Sequence, residues 1–405
     1  MGVKGVMKKS IKDIDLKNKK VLVRVDYNVP LNERGEVEDD TRIRESLPTI
    51  KYLLEQNCAI ILMSHLGRPK GKPDPKYSLK PVANKLQELL GKQVIMAEGI
   101  VDEKTKELAK NLKSGQILML ENVRFDPREE KNDHEFAKEL VSLVGSDAIF
   151  VQDAFGSVHR AHTTTHAVAK ILPAVCGFLL EKEIRYFEKV LTSAERPFIA
   201  ILGGAKVSDK IGVIENLLNK VDAIIIGGAM AYTFLLSRGI KIGNSLVEQD
   251  KLELAKDLLK KAEEKNVNIL LPIDHVIATK ISEDAEYKYI DTIDIPDGYM
   301  GVDIGKNTIL RIANIILSAK TIVWNGPMGV FEVENFQEGT KKVAELVAEA
   351  TQKGAVSVVG GGDSVSAVKK FNLSDKLSHI STGGGASLEL LEGKILPGIE
   401  VLQDK

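Results

Sequence analysis

Phe198-Ile-Ala-Ile-Leu-Gly-Gly-Ala-Lys-Val-Ser-Asp-Lys210 opens with five apolar residues, passes at once into two glycines and closes with two lysines four apart, the second its last residue. The apolar run is continuous rather than alternating, which suits a strand buried on both faces of a parallel sheet. The same grammar recurs along the chain. Runs at Val21 to Val25, Ala59 to Met63, Gln116 to Leu120 and Ala148 to Val151 fill the first half. Ala223 to Ile226, Asn268 to Leu271, Thr321 to Trp324, Ala355 to Val359 and His379 to Ser381 continue it in the second. Helix-period sequence lies between them: Ile43, Leu47, Ile50 and Leu54 form one apolar stripe, and Lys341 to Thr351 is another helix. Alternating strands and helices specify α/β architecture with both sheet faces covered.

With 405 residues the chain exceeds the usual length of one domain, about 150 residues, more than twofold. The strand rhythm pauses from Ile171 to Glu195, where Leu180 to Val190 reads as a charged helix. The expectation is two doubly wound parallel-sheet, Rossmann-like domains joined by a hinge, residues 1–175 and 176–389, with 390–405 a separate C-terminal segment. Hydrophobic residues are 43% of the chain and charged residues 28%, the balance of a globular protein, and no solenoid repeat or low-complexity tract interrupts it. Fifty-six basic against fifty-seven acidic side chains give a net charge of −1, which argues against a general nucleic-acid binder. Met1 to Ser10 has no apolar leader core, and no stretch approaches the roughly 20 apolar residues of a membrane span. Cys58 and Cys176 lack metal or disulfide spacing and read as small buried hydrophobes. The protein is expected to be cytoplasmic, with no membrane partner.

Ligands of open parallel sheets sit beyond the carboxyl ends of the strands, so the residues after each run carry the function. In the first half these are Asp26-Tyr-Asn28, Ser64-His-Leu-Gly-Arg68, Glu121-Asn-Val-Arg124 and His159-Arg-Ala-His162. Eight of the twelve arginines fall in the first 160 residues, with Arg68, Arg124 and Arg160 in such loops and Arg42 at a helix start. The guanidinium fork matches carboxylate and phosphate oxygens, so this half reads as a site for a small polyanion. For one arginine alone a solvated or salt-bridged role would suffice; four in equivalent places need a common cause. His159, His162 and His166 are three and four apart, a spacing that on a helix would imitate a zinc site. No acidic or thiol ligand is spaced with them and Arg160 would repel a cation, so anion binding or plain structure is the reading.

In the second half glycines follow the strands: Gly203-Gly204, Gly227-Gly228, Asn325-Gly-Pro-Met-Gly329, Gly360-Gly361-Gly362-Asp363-Ser364 and Gly383 to Gly385. Glycine lets backbone amides approach a ligand, and the helix that follows favours an anion at its start. One such pair is an ordinary tight turn; five in one domain point to phosphates or a nucleotide. Neither G-x-G-x-x-G nor a Walker loop is present, and Gly301-Val-Asp-Ile-Gly-Lys-Asn307 is one residue short of the latter. Lys206 and Lys210 are expected four apart on one helical face beside the phosphate turn, unless that face is merely solvated. Asp363 is a carboxylate for Mg2+ or a helix N-cap.

Arg24-Val-Asp-Tyr-Asn-Val-Pro30, Ser64-His-Leu-Gly-Arg-Pro69, Leu120-Glu-Asn-Val-Arg-Phe125, Asp153-Ala-Phe-Gly-Ser-Val-His-Arg-Ala-His162, Leu202 to Lys210, Val323-Trp-Asn-Gly-Pro-Met-Gly-Val-Phe-Glu332, Val359 to Ser364 and Ser381-Thr-Gly-Gly-Gly-Ala-Ser387 resemble the phosphoglycerate kinase family in sequence and order, over about residues 10–398. The resemblance implies a monomeric two-lobed enzyme that moves a phosphoryl group between 1,3-bisphosphoglycerate and MgADP, giving 3-phosphoglycerate and MgATP. It implies that Asp26, Asn28, His65, Arg68, Arg124 and Arg160 hold the phosphoglycerate in the N-terminal lobe, with Arg42 near the transferring group. In the C-terminal lobe Lys206 and Lys210 would meet the nucleotide phosphates, Lys210 following the moving phosphoryl, with Asp363 on Mg2+ and Glu332 on the ribose. Gly227, Gly228 and Gly301 would line the adenine pocket, and Asn325, Pro327, Ser364 and the turn glycines Gly204, Gly361 and Gly362 would complete the nucleotide site. Residues after about 390 would return to the first lobe. Ser157 and Val158 replace the family's common Thr-Ala without touching its His-Arg pair, and Lys306 replaces a proline, which loosens a φ restraint near the adenine pocket.

The attacking oxygen in such a reaction is already an anion, so positioning and charge neutralisation suffice and no covalent intermediate is required. Two other classes stay open on sequence: a phosphometabolite sensor without turnover, and an NAD-dependent dehydrogenase lacking its fingerprint. Lys210 and Arg42 speak against the first, because a sensor needs no charge aimed between two phosphate sites.

Overall fold

The computed structural model describes residues 7–405, so the stretch from Met1 to Val6, read above for a leader, lies outside the described residues. The chain divides into two compact units, one reaching to Arg185 and joined by Ile395–Lys405, the other Tyr186–Lys394.

The first unit carries a six-stranded parallel sheet: β1 Lys20–Arg24, β2 Ala59–Met63, β3 Val94–Met96, β4 Ile117–Met119, β5 Ile149–Gln152 and β6 Ala174–Cys176. Its spatial order is β3-β4-β2-β1-β5-β6. β2, β4 and β5 are buried along their whole length, as continuous apolar runs between helical layers require. Helix Thr41–Glu55 turns Ile43, Ile50 and Leu53 inward, with Leu47 and Leu54 at the margin of the same core. Strand order reverses between β1 and β5, so the loops after these two strands flank the natural ligand crevice.

In the second unit a parallel sheet of β7 Phe198–Leu202, β8 Ala223–Ile226, β9 Asn268–Leu270, β13 Thr321–Asn325, β14 Val356–Gly360 and β15 His379–Ile380 has the order β15-β14-β13-β7-β8-β9. Its switch point lies between β7 and β13, whose ends are Gly203-Gly204 and Gly326-Pro327. A three-stranded antiparallel sheet that the strand grammar did not predict, β10 His275–Ala278, β11 Tyr287–Ile290 and β12 Met300–Ile304, adds a second wall. The core packs Trp324, Ile201, Ile225 and Val359 against helices Lys306–Ser318 and Glu338–Gln352.

The division falls inside helix Phe178–Thr192, later than the expected break at 175. The reason is local: Phe178 N donates to Thr49 Oγ1 at 3.0 Å and Leu179 N to Asp153 Oδ1 at 3.0 Å, which ties the helix start to the first unit. At the other end, helix Gly384–Leu391 stays in the second unit, where Asn216 Nδ2 donates to Leu391 O at 2.8 Å. The return begins at Ile395: Gly398 N donates to Val158 O at 2.8 Å, and Gln403 bonds both Lys9 and Ala174.

Candidate active site

In the first unit the loop after β1 makes a tight turn in which Asn28 N donates to Asp26 Oδ1 at 3.1 Å. Arg42, in the first turn of its helix, reaches over this turn and donates from Nη1 to Asn28 O at 2.8 Å and to Asp26 Oδ1 at 3.2 Å. Asn28 Oδ1 accepts from Gly67 N at 2.9 Å, and Arg124 Nη1 donates to Gly67 O at 3.0 Å, which binds three strand-end loops together. Arg68 and Arg160 are exposed, and among the described residues neither guanidinium has an ion-pair partner. Burial, reinforced by Arg68 and Arg160, shifts Arg124 below the ordinary guanidinium range against the pull of Glu130 and Glu129. The seven first-half residues singled out from sequence thus gather at one sheet end with an excess of converging positive charge.

His65 is buried beside this cluster. Burial, then Arg24, Arg124 and Arg42, hold its imidazole well below the usual histidine range, and burial, then Arg124, Arg24 and Arg160, bring His162 down to about 4. The histidines do not share a helical face. His162 precedes the single π-turn Thr163–Ala167, His166 lies within it and His159 comes before both. No cluster of three metal-ligating side chains occurs among the described residues.

The second unit has a cleft at the ends of β7 and β13, lined by Gly204, Gly228, Gly301, Pro327, Glu332 and Asp363 with an apolar wall that includes Tyr232, Met300 and Val330. Close approach at the switch point demands glycine, because a Cβ on Gly203 would run into the Pro327 carbonyl. Gly227 lies behind the cleft, where a Cβ would meet Met328 Sδ at 2.5 Å. Gly326 N donates to Ser364 Oγ at 2.6 Å, which ties the β13 loop to helix Gly362–Lys370. Gly361, at φ +93°, caps that helix, so Asp363 lies in its first turn, exposed, and is not the N-cap.

The lysine pair differs from expectation. Lys206 is extended and exposed, residues 207–209 form a 3-10 turn, and the α-helix starts only at Ile211. The four-residue spacing therefore does not place both lysines on one helical face. Lys210 is half-buried and donates from Nζ to Asn325 Oδ1; burial lowers its pKa to about 8, against the pull of Asp209, Asp363 and Glu392. Asn325 Nδ2 is buried with no partner among the described residues, a donor aimed at nothing of the protein's own.

The Lys306 replacement leaves its turn rigid by another route. Asp274 accepts from Asn307 N at 2.8 Å, Thr308 N at 2.9 Å and Tyr289 Oη at 2.5 Å, and Lys306 Nζ lies 4.8 Å over the Tyr289 ring.

These two clusters carry the motifs of one family from end to end, and its sequence model, phosphoglycerate kinase, matches residues 11–394. The chain belongs to the phosphoglycerate kinase family. It is 55% identical over 399 residues to phosphoglycerate kinase of Chloroflexus aurantiacus, covering 98% of this chain and 99% of that protein. Against the Thermosipho africanus enzyme identity is 56%, with 98% of each chain covered. The structure of phosphoglycerate kinase from Coxiella burnetii superposes with a TM-score of 0.88 at 42% identity, over 97% of this chain and 98% of that one. As a member the chain is a kinase of the glycolytic and gluconeogenic phosphoryl transfer between 1,3-bisphosphoglycerate and ADP. No helix among the described residues is long and apolar enough to cross a membrane.

Sequence reasoning passed over Arg24, Glu129 and Thr164, which lie buried behind the arginine cluster. The available signal was Arg24 itself, a charge inside the apolar run Val21 to Val25.

Proposed function

We propose that the first unit binds 3-phosphoglycerate or 1,3-bisphosphoglycerate through Asp26, Asn28, Arg42, His65, Arg68, Arg124 and Arg160, and that the second binds MgADP or MgATP in its glycine cleft. The observation that carries the first assignment is the convergence of Arg68, Arg124 and Arg160 with no ion-pair partner for Arg68 and Arg160 among the described residues. An anion relieves that repulsion, and a phosphate accepts from several forks at once. For the nucleotide, Gly204, Gly228 and Gly301 line the cleft, Glu332 lines it with them and Asn325 offers a buried unpaired donor.

Asp363 fits Mg2+, which takes one or two carboxylates and completes its shell with phosphate oxygens and water. The ion supplies charge neutralisation on the phosphates when bound. The chain's own part is to hold the carboxylate of 3-phosphoglycerate beside Arg42, to keep Lys210 against the transferring phosphoryl, and to exclude water from an acyl phosphate. Because the attacking oxygen is an anion in either direction, no side chain removes a proton. The two ligands must meet for transfer, so hinge closure belongs to this reading, together with a cytoplasmic monomer.

A coupled assay with 3-phosphoglycerate and MgATP tests it directly, with turnover expected. Binding of both ligands without turnover would leave a sensor, and quenching of nicotinamide fluorescence would favour a dehydrogenase.

A further inference from the structure

Arg24 is fully buried at the end of β1, and each part of its guanidinium has a different partner. Nε donates to Thr164 Oγ1 at 2.8 Å, Nη1 to Val25 O at 2.5 Å, and Nη2 lies 2.9 Å from His65 Nδ1. Guanidinium has five donors and no acceptor, so in the last contact the imidazole nitrogen accepts. The His65 ring hydrogen is therefore on Nε2. A protonated ring would set Nδ1–H against Nη2–H and place two cations together away from water.

The arrangement behind Arg24 keeps it in place. Thr164 Oγ1 accepts from Arg24 and donates to Glu129 Oε2 at 2.5 Å, while Thr164 N donates to Glu129 Oε1 at 2.8 Å. Glu129 is itself fully buried, and its carboxylate is the counter-charge that Arg24 feels most strongly, followed by Asp26. Glu129, Thr164, Arg24 and His65 form one buried chain that ends at the anion cluster. The charged and titratable groups facing the imidazole are Arg24, Arg124, Arg42 and His162.

We propose that Arg24 is a positioning residue that fixes His65 as the neutral Nε2–H tautomer, so that His65 gives the bound phosphoglycerate one directional hydrogen bond while the arginines carry the charge. This rests on the reading above that His65 contacts that ligand. Its consequence is a phosphoglycerate site whose charge is constant as pH falls through the ordinary histidine range. A purely structural Arg24 would have no effect on the ring's proton.

The test is nitrogen-15 NMR of the histidine rings in the full chain without ligand, followed by kinetics of Arg24→Lys and Thr164→Val. Arg24→Lys keeps a cation and removes the fork; Thr164→Val keeps the fork and removes its holder, so one of the two remains informative should the other fail to fold by circular dichroism. The parent should show His65 as Nε2–H with no titration between pH 5 and 8. The variants should show mixed tautomers or a titrating ring, and a KM for 3-phosphoglycerate raised roughly tenfold or more, most at higher pH where the ring is neutral and its tautomer mixed, with the KM for MgATP unchanged. A parent ring protonated on Nδ1 would overturn the tautomer assignment itself, and variants that keep a single Nε2–H tautomer would overturn Arg24's part in fixing it. Loss of the tautomer with an unchanged KM for 3-phosphoglycerate would overturn the proposal through the other premise, that His65 touches the ligand.

Discussion

Lys210 gives its ammonium to the amide oxygen of Asn325, the last residue of β13, so a half-buried cation rests on a neutral dipole instead of a carboxylate. The amide satisfies a hydrogen bond but carries no counter-charge, and burial outweighs the more distant pull of Asp209, Asp363 and Glu392, which draws the lysine down to about 8. An incoming phosphoryl group offers what Asn325 lacks. Lys210→Ala should therefore bind MgATP within a few-fold of the parent by calorimetry and lose at least about two orders of magnitude in kcat, as removal of one preorganised charge contact does. Weak binding with near-normal turnover would leave Lys210 as a simple phosphate anchor. The same lysine sets a pH dependence. It is cationic below about 8 and neutral above, so kcat/KM for MgATP should fall as pH rises past about 8, while kcat, measured with phosphate beside the lysine, should fall only at higher pH.

Arg68 is exposed and, among the described residues, unpaired, so its removal disturbs little of the fold. Arg68→Ala should raise the KM for 3-phosphoglycerate far more than that for MgATP. It should also bring Arg124 closer to the ordinary guanidinium range, because one repelling neighbour is gone. Equal effects on the two Michaelis constants would assign Arg68 a structural role.

Lys306 opens helix Lys306–Ser318 after Gly305 at φ −89° and ψ 173°, an extended residue that proline can follow. Lys306→Pro should thus stay within about 1 kcal/mol of the parent in chemical denaturation, since reduced freedom of the unfolded chain offsets the lost contact with Tyr289. Asp274→Ala, which strips the acceptor from two helix amides, Thr308 Oγ1 and Tyr289 Oη, should cost roughly 2 kcal/mol or more. A larger loss from Lys306→Pro would show that the lysine, not Asp274, holds this turn.

The parallel strands were legible because each long apolar run ends in residues with a separate signature, arginine loops in one unit and glycine turns in the other. β3 and β6, three residues each, carry too little pattern to register, and β6 hides in the segment read as a pause. The antiparallel sheet was missed for a different reason: Tyr287–Ile290 is largely exposed and mixes lysine with tyrosine, so no apolar face marks it. Lys206 and Lys210 show the limit of spacing arguments, since a 3-10 turn between them resets the angular relation that an α-helix would have imposed. Asn325 appeared in the sequence as a loop residue beside glycines; its contact with Lys210 spans 115 positions and is created by the pairing of β13 with β7.

Asp153 follows β5 at the switch point of the first sheet and is 1% exposed. Its Oδ1 accepts Leu179 N at 3.0 Å and Leu180 N at 3.3 Å at the start of helix Phe178–Thr192. Burial outweighs the Thr49 hydroxyl and the helix amides and raises the carboxyl to about 7 from an ordinary 3.8. The folded protein therefore holds a proton on Asp153 over a range where the unfolded chain has released it. Between about 4 and 7 the native state binds more protons than the unfolded state, so this group's contribution to stability declines as pH rises through that window and is flat above it. Asp153→Asn keeps an oxygen for the two helix amides and cannot ionise. Its stability relative to the parent should accordingly climb from about pH 4 to 7 and then level off, read as the urea midpoint from far-UV circular dichroism at a series of pH values. A difference between the two proteins that is constant across pH 4 to 8 would mean that Asp153 stays ionised in the native state, held by the helix amides despite its burial.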